Sequence, residues 1–168
     1  MKARGDFMKS ACFTGHRNLG SDLNRGRLVR CIEKAVSKGC DTFICGGALG
    51  FDMLAARTVL ELKNIHPHIQ LHMYLPCANQ TEKWSMAQKR EYERILRAAD
   101  LVDKTTRPYY DGCMRERNYR MVDNSDLCIC YLNSMERSGT AQTVRYAKRK
   151  GLTIVNVSDL GEEFLKNL

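Results

Sequence analysis

Proline is scarce, with three in 168 residues, and there is a single tryptophan. No stretch is rich in proline or glycine, none is of low complexity and no segment repeats, so composition gives no reason to divide the chain. One domain over residues 1–168 is expected, long enough to bury roughly two-thirds of the surface its unfolded chain exposes. Long apolar runs are also missing, and none approaches the roughly 20 residues that span a bilayer. The opening residues, "MKARGDFMKSACFTGHR", lack the apolar core of about 7–15 residues that a secretion signal needs. A cytoplasmic protein with no membrane partner is the expectation.

Metal-binding spacing is absent too. The eight cysteines are Cys12, Cys31, Cys40, Cys45, Cys77, Cys113, Cys128 and Cys130. None forms a CxxC pair, and none is paired with histidines at zinc-finger spacing. Reduced, mostly buried thiols are expected, with no metal and no cofactor. Cys128 and Cys130 share one face of a candidate strand, because side chains alternate there.

Acidic charge is in deficit: 27 Lys and Arg against 19 Asp and Glu give +8. Basic residues gather in "KWSMAQKREYERILR" and "RYAKRKG", with Arg115, Arg117 and Arg120 between them. This surplus favours anionic partners, a nucleotide or nucleic acid, and is silent on fold.

Apolar runs alternate with helical patterns throughout. Candidate strands are Ser10–Thr14, Thr42–Cys45, Ile69–Leu75, Leu101–Lys104, Leu127–Leu132 and Thr153–Val157. Most are short and continuously apolar, as strands covered on both faces of a parallel sheet are. From Leu23 onward, Leu28, Val29, Ile32, Ala35 and Val36 form one helical stripe. Further helices are predicted over Asp52–Lys63, Ser85–Ala99, Gly112–Asp123 and Thr140–Arg149, with longer loops at Pro76–Ser85 and Thr105–Asp111. The fold class is α/β, a Rossmann-like three-layer sandwich with a mainly parallel sheet of about six strands. Ligands bind such sheets outside the carboxyl ends of the strands.

The segments that follow strands are accordingly the candidates. After the first comes "TGHR": Thr14 and Gly15 turn the chain, and His16 and Arg17 offer a hydrogen-bonding ring and a cation to a base, ribose or phosphate. Incidental polar residues on a surface turn are the alternative. After the second comes "CGGALGFDMLAA", Cys45 to Ala56. Gly46, Gly47 and Gly50 lead into a helix start whose free N–H groups suit a phosphate, or they simply make a sharp turn. The stretch is neither GxGxxG nor a P-loop. Asp52 either complements the helix dipole or accepts hydrogen bonds from ribose hydroxyls.

After the third strand, Gln80 and Trp84 are four apart and share a face if the next helix begins early. Trp84 then either stacks on a base or covers the core. In "CMRERNYRMVDNSD", Arg117 shares a helical face with Met114 and Met121, so it points inward unless it lines a pocket, with Asn118 beside it. After the fifth strand, Ser138, Gly139 and Thr140 begin a helix, as a cap or a second anion site, with Gln142 one turn on.

In order, "CFTGHR", "GGALGFD", "LP…Q…W", "RNYRMVDNSD" and "SGTAQTV" resemble the SLOG superfamily of Rossmann-like proteins, and most of all its uncharacterised YpsA-like branch. The resemblance runs from Cys12 to about Val157 and implies a homodimer. "GGALGFDMLAA" and "SGTAQTVRYA" are also similar to motifs of the DNA-processing protein DprA, which binds single-stranded DNA. "MRERNYRM" resembles the MxERKxxM segment of the Lonely Guy phosphoribohydrolases, which implies a catalytic arginine at Arg117. Their partner motif, PGGxGTxxE, is matched at Gly139 and Thr140, but its acid falls on Gln142 or Thr143. Neither is a carboxylate, which weakens hydrolysis, since an oxocarbenium-like transition state needs one. Asp52 and Glu136 are the candidate replacements. The leading expectation is a module, of sensor or regulatory type, that binds a nucleotide or nucleotide-derived ligand. The alternatives are a nucleoside-monophosphate glycosidase and a single-stranded nucleic-acid binder.

Overall fold

The computed structural model describes residues 8–134 and 136–166. The start of the opening segment and Met135 of "SMERS" lie outside the described residues. Six strands form one sheet: β1 (Ser10–Gly15), β2 (Thr42–Cys45), β3 (Gln70–Tyr74), β4 (Leu101–Asp103), β5 (Leu127–Tyr131) and β6 (Thr153–Asn156). The helices are α1 (Arg25–Ser37), α2 (Phe51–Leu62), α3 (Met86–Ala98), α4 (Cys113–Asp123), α5 (Gly139–Arg149) and α6 (Gly161–Lys166). Strand order is β4-β3-β2-β1-β5-β6, and every pairing is parallel. This is the Rossmann-like three-layer architecture, with a wholly parallel sheet.

Alternation along the strands divides the core. Ala11 and Phe13 of β1, with Leu127, Ile129 and Tyr131 of β5, face a cluster built with α1, α2 and α3. Cys12, Cys128 and Cys130 face the opposite cluster, under Met121 and Val122 of α4 and Ala141 and Val144 of α5. The two strand cysteines do share a face. All eight thiols are free, and seven are buried. Among the described residues no helix is long and apolar enough to cross a membrane.

Local chemistry explains the helix starts. Asn24 Oδ1 accepts from Arg27 N at 2.9 Å and caps α1. Ser85 and Gln88 form a reciprocal capping box, at 3.2 and 2.9 Å, that starts α3 at Met86. The helix therefore does not begin early enough to include Gln80 and Trp84, which lie in the preceding turns. The α6 helix is absent from the sequence-based pattern.

Strands β1 to β4 are laid down in one direction, and the chain then crosses back to place β5 on the other side of β1. Strand order reverses between β1 and β5, so a crevice opens outside their carboxyl ends. The loops after β1, β2 and β5 meet there.

Candidate functional site

The loop after β1 is held on three sides. The His16 N–H donates to the Tyr131 carbonyl at 3.3 Å, and its own carbonyl accepts from Phe51 N at 3.2 Å. Nε2 of its ring accepts the Asn133 N–H at 3.3 Å. That bond requires a neutral imidazole, consistent with burial lowering the His16 pKa against the opposing pull of Asp22. Asp22 itself accepts from Ser158 Oγ at 2.6 Å, Tyr131 Oη at 2.9 Å and Asn133 Nδ2 at 3.0 Å. Burial would raise its pKa, but these bonds prevail and hold it below the usual carboxylate value. His16 thus ties the ends of β1 and β5 together, with Thr14 buried below it and Arg17 exposed beyond it. Gly15 passes beneath the Phe51 ring, where a Cβ would overlap it.

The glycine-rich stretch is closely filled by its own neighbours. A Cβ on Gly46 would lie 2.5 Å from the Arg117 guanidinium carbon. Gly47 and Gly50 adopt φ of 71° and 84°, open to glycine at little cost. A Cβ on Gly50 would also overlap the Arg17 backbone carbonyl. Inside the turn, Asp52 Oδ2 accepts the Ala48 N–H at 3.2 Å. Asp52 is 6% exposed. Burial pushes its carboxyl up to about 6, while Arg117, the Ala48 N–H and Arg17 pull it down.

Arg117 projects inward from α4 as its spacing with Met121 predicts, and is 4% exposed. Its Nη1 donates to the carbonyls of Gly46 and, at 3.4 Å, Tyr74. Its Nε donates to Asn118 Oδ1 at 2.7 Å, and Nη2 lies 3.8 Å from the Met114 sulfur. Burial lowers its pKa, and Asp52 is the leading group that opposes this. Among the described residues no carboxylate comes within ion-pair distance of it.

Gln80 donates from Nε2 to the Gly47 carbonyl at 3.4 Å and to Tyr92 Oη at 3.3 Å. Its Oε1 is buried with no hydrogen-bond partner among the described residues. Trp84 is half-buried against the α1–α3 core, edge-on to Tyr92 with ring centroids 5.3 Å apart.

An open cleft lies beside Arg117, between the first turns of α4 and α5. Its volume is about 310 Å³, and it is lined by Tyr109, Asp111, Gly112, Met114, Arg115, Asn118, Gly139 and Gln142. Two helix N-termini therefore direct partial positive charge at one cavity. Ser138 Oγ caps α5 by accepting from Ala141 N at 3.1 Å, which leaves the amides of Gly139 and Thr140 as donors. Among the described residues nothing lies within 4 Å of a Cβ position on Gly139. Thr140 and Thr143 are buried, and Thr143 Oγ1 donates back to the Gly139 carbonyl at 2.7 Å. Of the two positions aligned with a catalytic acid, only Gln142 lines the cleft.

Structure and sequence thus select partly different residues. Asn118, Gly139 and Gln142 line the cleft, and Arg117 reaches it through Asn118. Gly46 and Asp52 face the buried side of Arg117, while Gln80 holds the Gly47 carbonyl and Gly50 packs on the Arg17 backbone. Tyr109, Asp111, Gly112, Met114 and Arg115 also line the cleft, and sequence pattern alone marks none of them as a ligand contact. Two signals do mark the loop before α4: "RPYYDG" follows a strand, and it carries adjacent aromatics. That loop is tied to the loop after β3 by Ala78 N to the Arg107 carbonyl at 2.8 Å and Tyr109 N to Asn79 Oδ1 at 2.8 Å.

Comparison with known proteins agrees with this architecture. The model of the YspA SLOG family matches residues 21–158. A UPF0398 protein of Halalkalibacterium halodurans is 31% identical over 155 residues, covering 85% of this chain and 82% of the relative. A UPF0398 protein of Bacillus cereus is 30% identical over 156 residues, covering 86% and 85%. DNA processing protein A of Helicobacter pylori, a single-stranded DNA binder, superposes with a TM-score of 0.65 at 20% identity. That match covers 95% of this chain and 72% of the other. The Streptococcus pneumoniae DprA gives 0.53 at 14% identity, over 92% and 60%. At those identities the two structures share a fold with this chain. The family match spans every residue that lines the cleft, and the chain belongs to the YspA SLOG family.

Proposed function

We propose that the chain binds a nucleotide or nucleotide-derived ligand in the cleft between the starts of α4 and α5. The observation that carries this is Arg117, a buried guanidinium with no ion pair among the described residues and a direct hydrogen bond to the cleft residue Asn118. A buried cation is costly unless a counter-charge compensates it. A phosphate at the Gly139–Thr140 helix start supplies that charge and meets free amides. The Gly46–Gly50 turn then serves indirectly, since its amide at Ala48 is engaged by Asp52 and its Gly46 carbonyl holds Arg117. Tyr109, 58% exposed at the rim, is placed to stack on a base, and Asn118 and Gln142 to hydrogen-bond a sugar or base edge.

The experiment is calorimetry with nucleoside monophosphates, NAD and ADP-ribose, on wild type and Gly139→Asp. The free space at Gly139 admits the new carboxylate without a clash, so the variant folds and repels a phosphate. Heat from the wild type that disappears in the variant supports the reading. No heat from the wild type, or equal heat from both, refutes it.

A second reading is single-stranded DNA, favoured by the fold shared with the Helicobacter pylori DNA binder and by the charge of +8. It predicts affinity that falls steeply with salt. Glycosidase activity requires a carboxylate at the cleft, and the one in its lining is Asp111. Release of free base from a monophosphate, lost in Asp111→Asn, is its signature.

A further inference from the structure

On the α1 side of the sheet, a second cavity of about 310 Å³ lies between α1 and the β5–β6 edge. Its existence follows from the topology. Helix α1 covers β1 and β5, whereas Leu165 of α6 packs with the opposite cluster, leaving β6 open on this side among the described residues. The floor is apolar, made by Met8, Cys31, Ala35, Leu127 and Val155. The rim is cationic. Arg27 is already engaged by the Ser158 carbonyl at 2.8 Å and by Asp159 at 3.7 Å. Arg30, Lys34 and Lys38 line the same rim and are exposed, with no ion pair among the described residues.

We infer that this groove docks an acidic amphipathic helix of a partner protein, its apolar side chains on Cys31, Leu127 and Val155 and its carboxylates on Arg30, Lys34 and Lys38. Arg30 and Lys34 stand one turn apart on α1 and Lys38 follows as its C-cap, a row at i, i+4 and i+8 about 12 Å long. A partner helix with acids at the same spacing lies alongside with each charge opposed, and places the apolar residues of its adjoining stripe, at i+3 and i+7, in the trough. Other occupants fit less well. Two copies paired about a two-fold axis would set cation row against cation row. Residues 1–7 carry Lys2 and Arg4 against the single Asp6, the wrong sign for this rim. Nucleic acid would find no aromatic ring on the floor to stack against.

The test uses the full chain and a fluorescent peptide of about 15 residues, long enough to form a helix, with glutamates at i, i+4 and i+8 and leucines on the adjoining stripe at i+3 and i+7. Controls are the same peptide with lysines for glutamates, a scramble of the acidic peptide, and a single-stranded oligothymidylate. Two readouts are followed: anisotropy, and alkylation of Cys31 by a maleimide, Cys31 being the one thiol of eight that is not buried. The acidic amphipathic peptide is expected to saturate and to protect Cys31. Its affinity is expected to fall more than about tenfold in Lys34→Glu/Lys38→Glu, with the unfolding midpoint unchanged. Neither control peptide should bind. The inference is overturned by absence of saturable binding, by equal binding of the scramble, by binding that leaves Cys31 reactive, or by protection of Cys31 by the oligonucleotide. None of these outcomes depends on the nucleotide cleft.

Discussion

The Arg117 guanidinium carbon lies 2.5 Å from where a Cβ on Gly46 would sit, and Nη1 of the same arginine donates to the Gly46 carbonyl. The absence of a side chain at Gly46 is therefore what admits a cation to the interior. Gly46→Ala is expected to displace Arg117 and destabilise the fold by about 1–3 kcal/mol, the usual cost of overpacking a closed site. Because the obstacle is the arginine itself, the penalty should largely vanish in an Arg117→Ala background. A double-mutant cycle by chemical denaturation reads the coupling. Additive costs would show that Gly46 is required for a reason other than Arg117.

Gly50 and Gly139 both precede or begin helices, but their requirements differ. Gly50 combines φ of 84° with the Arg17 carbonyl in the way of a Cβ, and that obstacle is backbone, which cannot swing aside. Gly50→Ala should cost about 2–4 kcal/mol. Gly139 has open space around it and no left-handed backbone. Gly139→Ala should lie within about 1 kcal/mol of wild type, on the stabilising side, through reduced freedom of the unfolded chain. Comparing the thermal midpoints of the two variants checks both values at once.

Much of this arrangement was legible in the sequence. Strands covered on both faces read as unbroken apolar runs, and all six candidate strands agree with the structure within one residue at each end. The weakest, Leu101–Lys104, is shorter by its last residue. The inward course of Arg117 followed from its spacing with Met121 on one helical face. Tertiary contacts, which carry no periodic signal, decided the rest. Asp52 occupies the first turn of α2, where a dipole argument puts an acid in water, yet the loop after β2 folds over it. Tyr109 belongs to an irregular loop that only the bonds from Ala78 and Tyr109 to its neighbours bring to the cleft.

Burial of Asp52 gives a pH dependence of definite sign. Its carboxyl is raised from 3.8 to about 6 in the fold, so the folded chain holds the proton more tightly than the unfolded chain. The associated stability is fully present below pH 3.8 and is lost as pH rises through about 6. A shift of about two units corresponds to about 3 kcal/mol. The wild type should therefore lose stability between about pH 4 and pH 6 relative to Asp52→Asn, whose carboxamide oxygen still accepts the Ala48 N–H. Urea denaturation of the pair across that range measures the difference. A constant difference, or one that grows in favour of wild type with pH, contradicts the assignment.

The two aromatic candidates for a base platform separate cleanly. Trp84 is half-buried and edge-on to Tyr92, with its surface already spent on the core. Trp84→Ala should lower stability by about 1–3 kcal/mol and leave ligand affinity unchanged. Tyr109 is exposed and lines the cleft beside Asn118 and Gln142. Its backbone N–H is held by Asn79, so removing the ring leaves the loop anchored. Tyr109→Ala should leave the unfolding midpoint in place and weaken a bound nucleotide by about tenfold or more, the range of one base–aromatic stack. Calorimetry and thermal unfolding on both variants give the four values. An unchanged affinity in Tyr109→Ala together with a loss in Trp84→Ala would move the base from the α4–α5 cleft to the β3 side of the sheet, and with it the ligand.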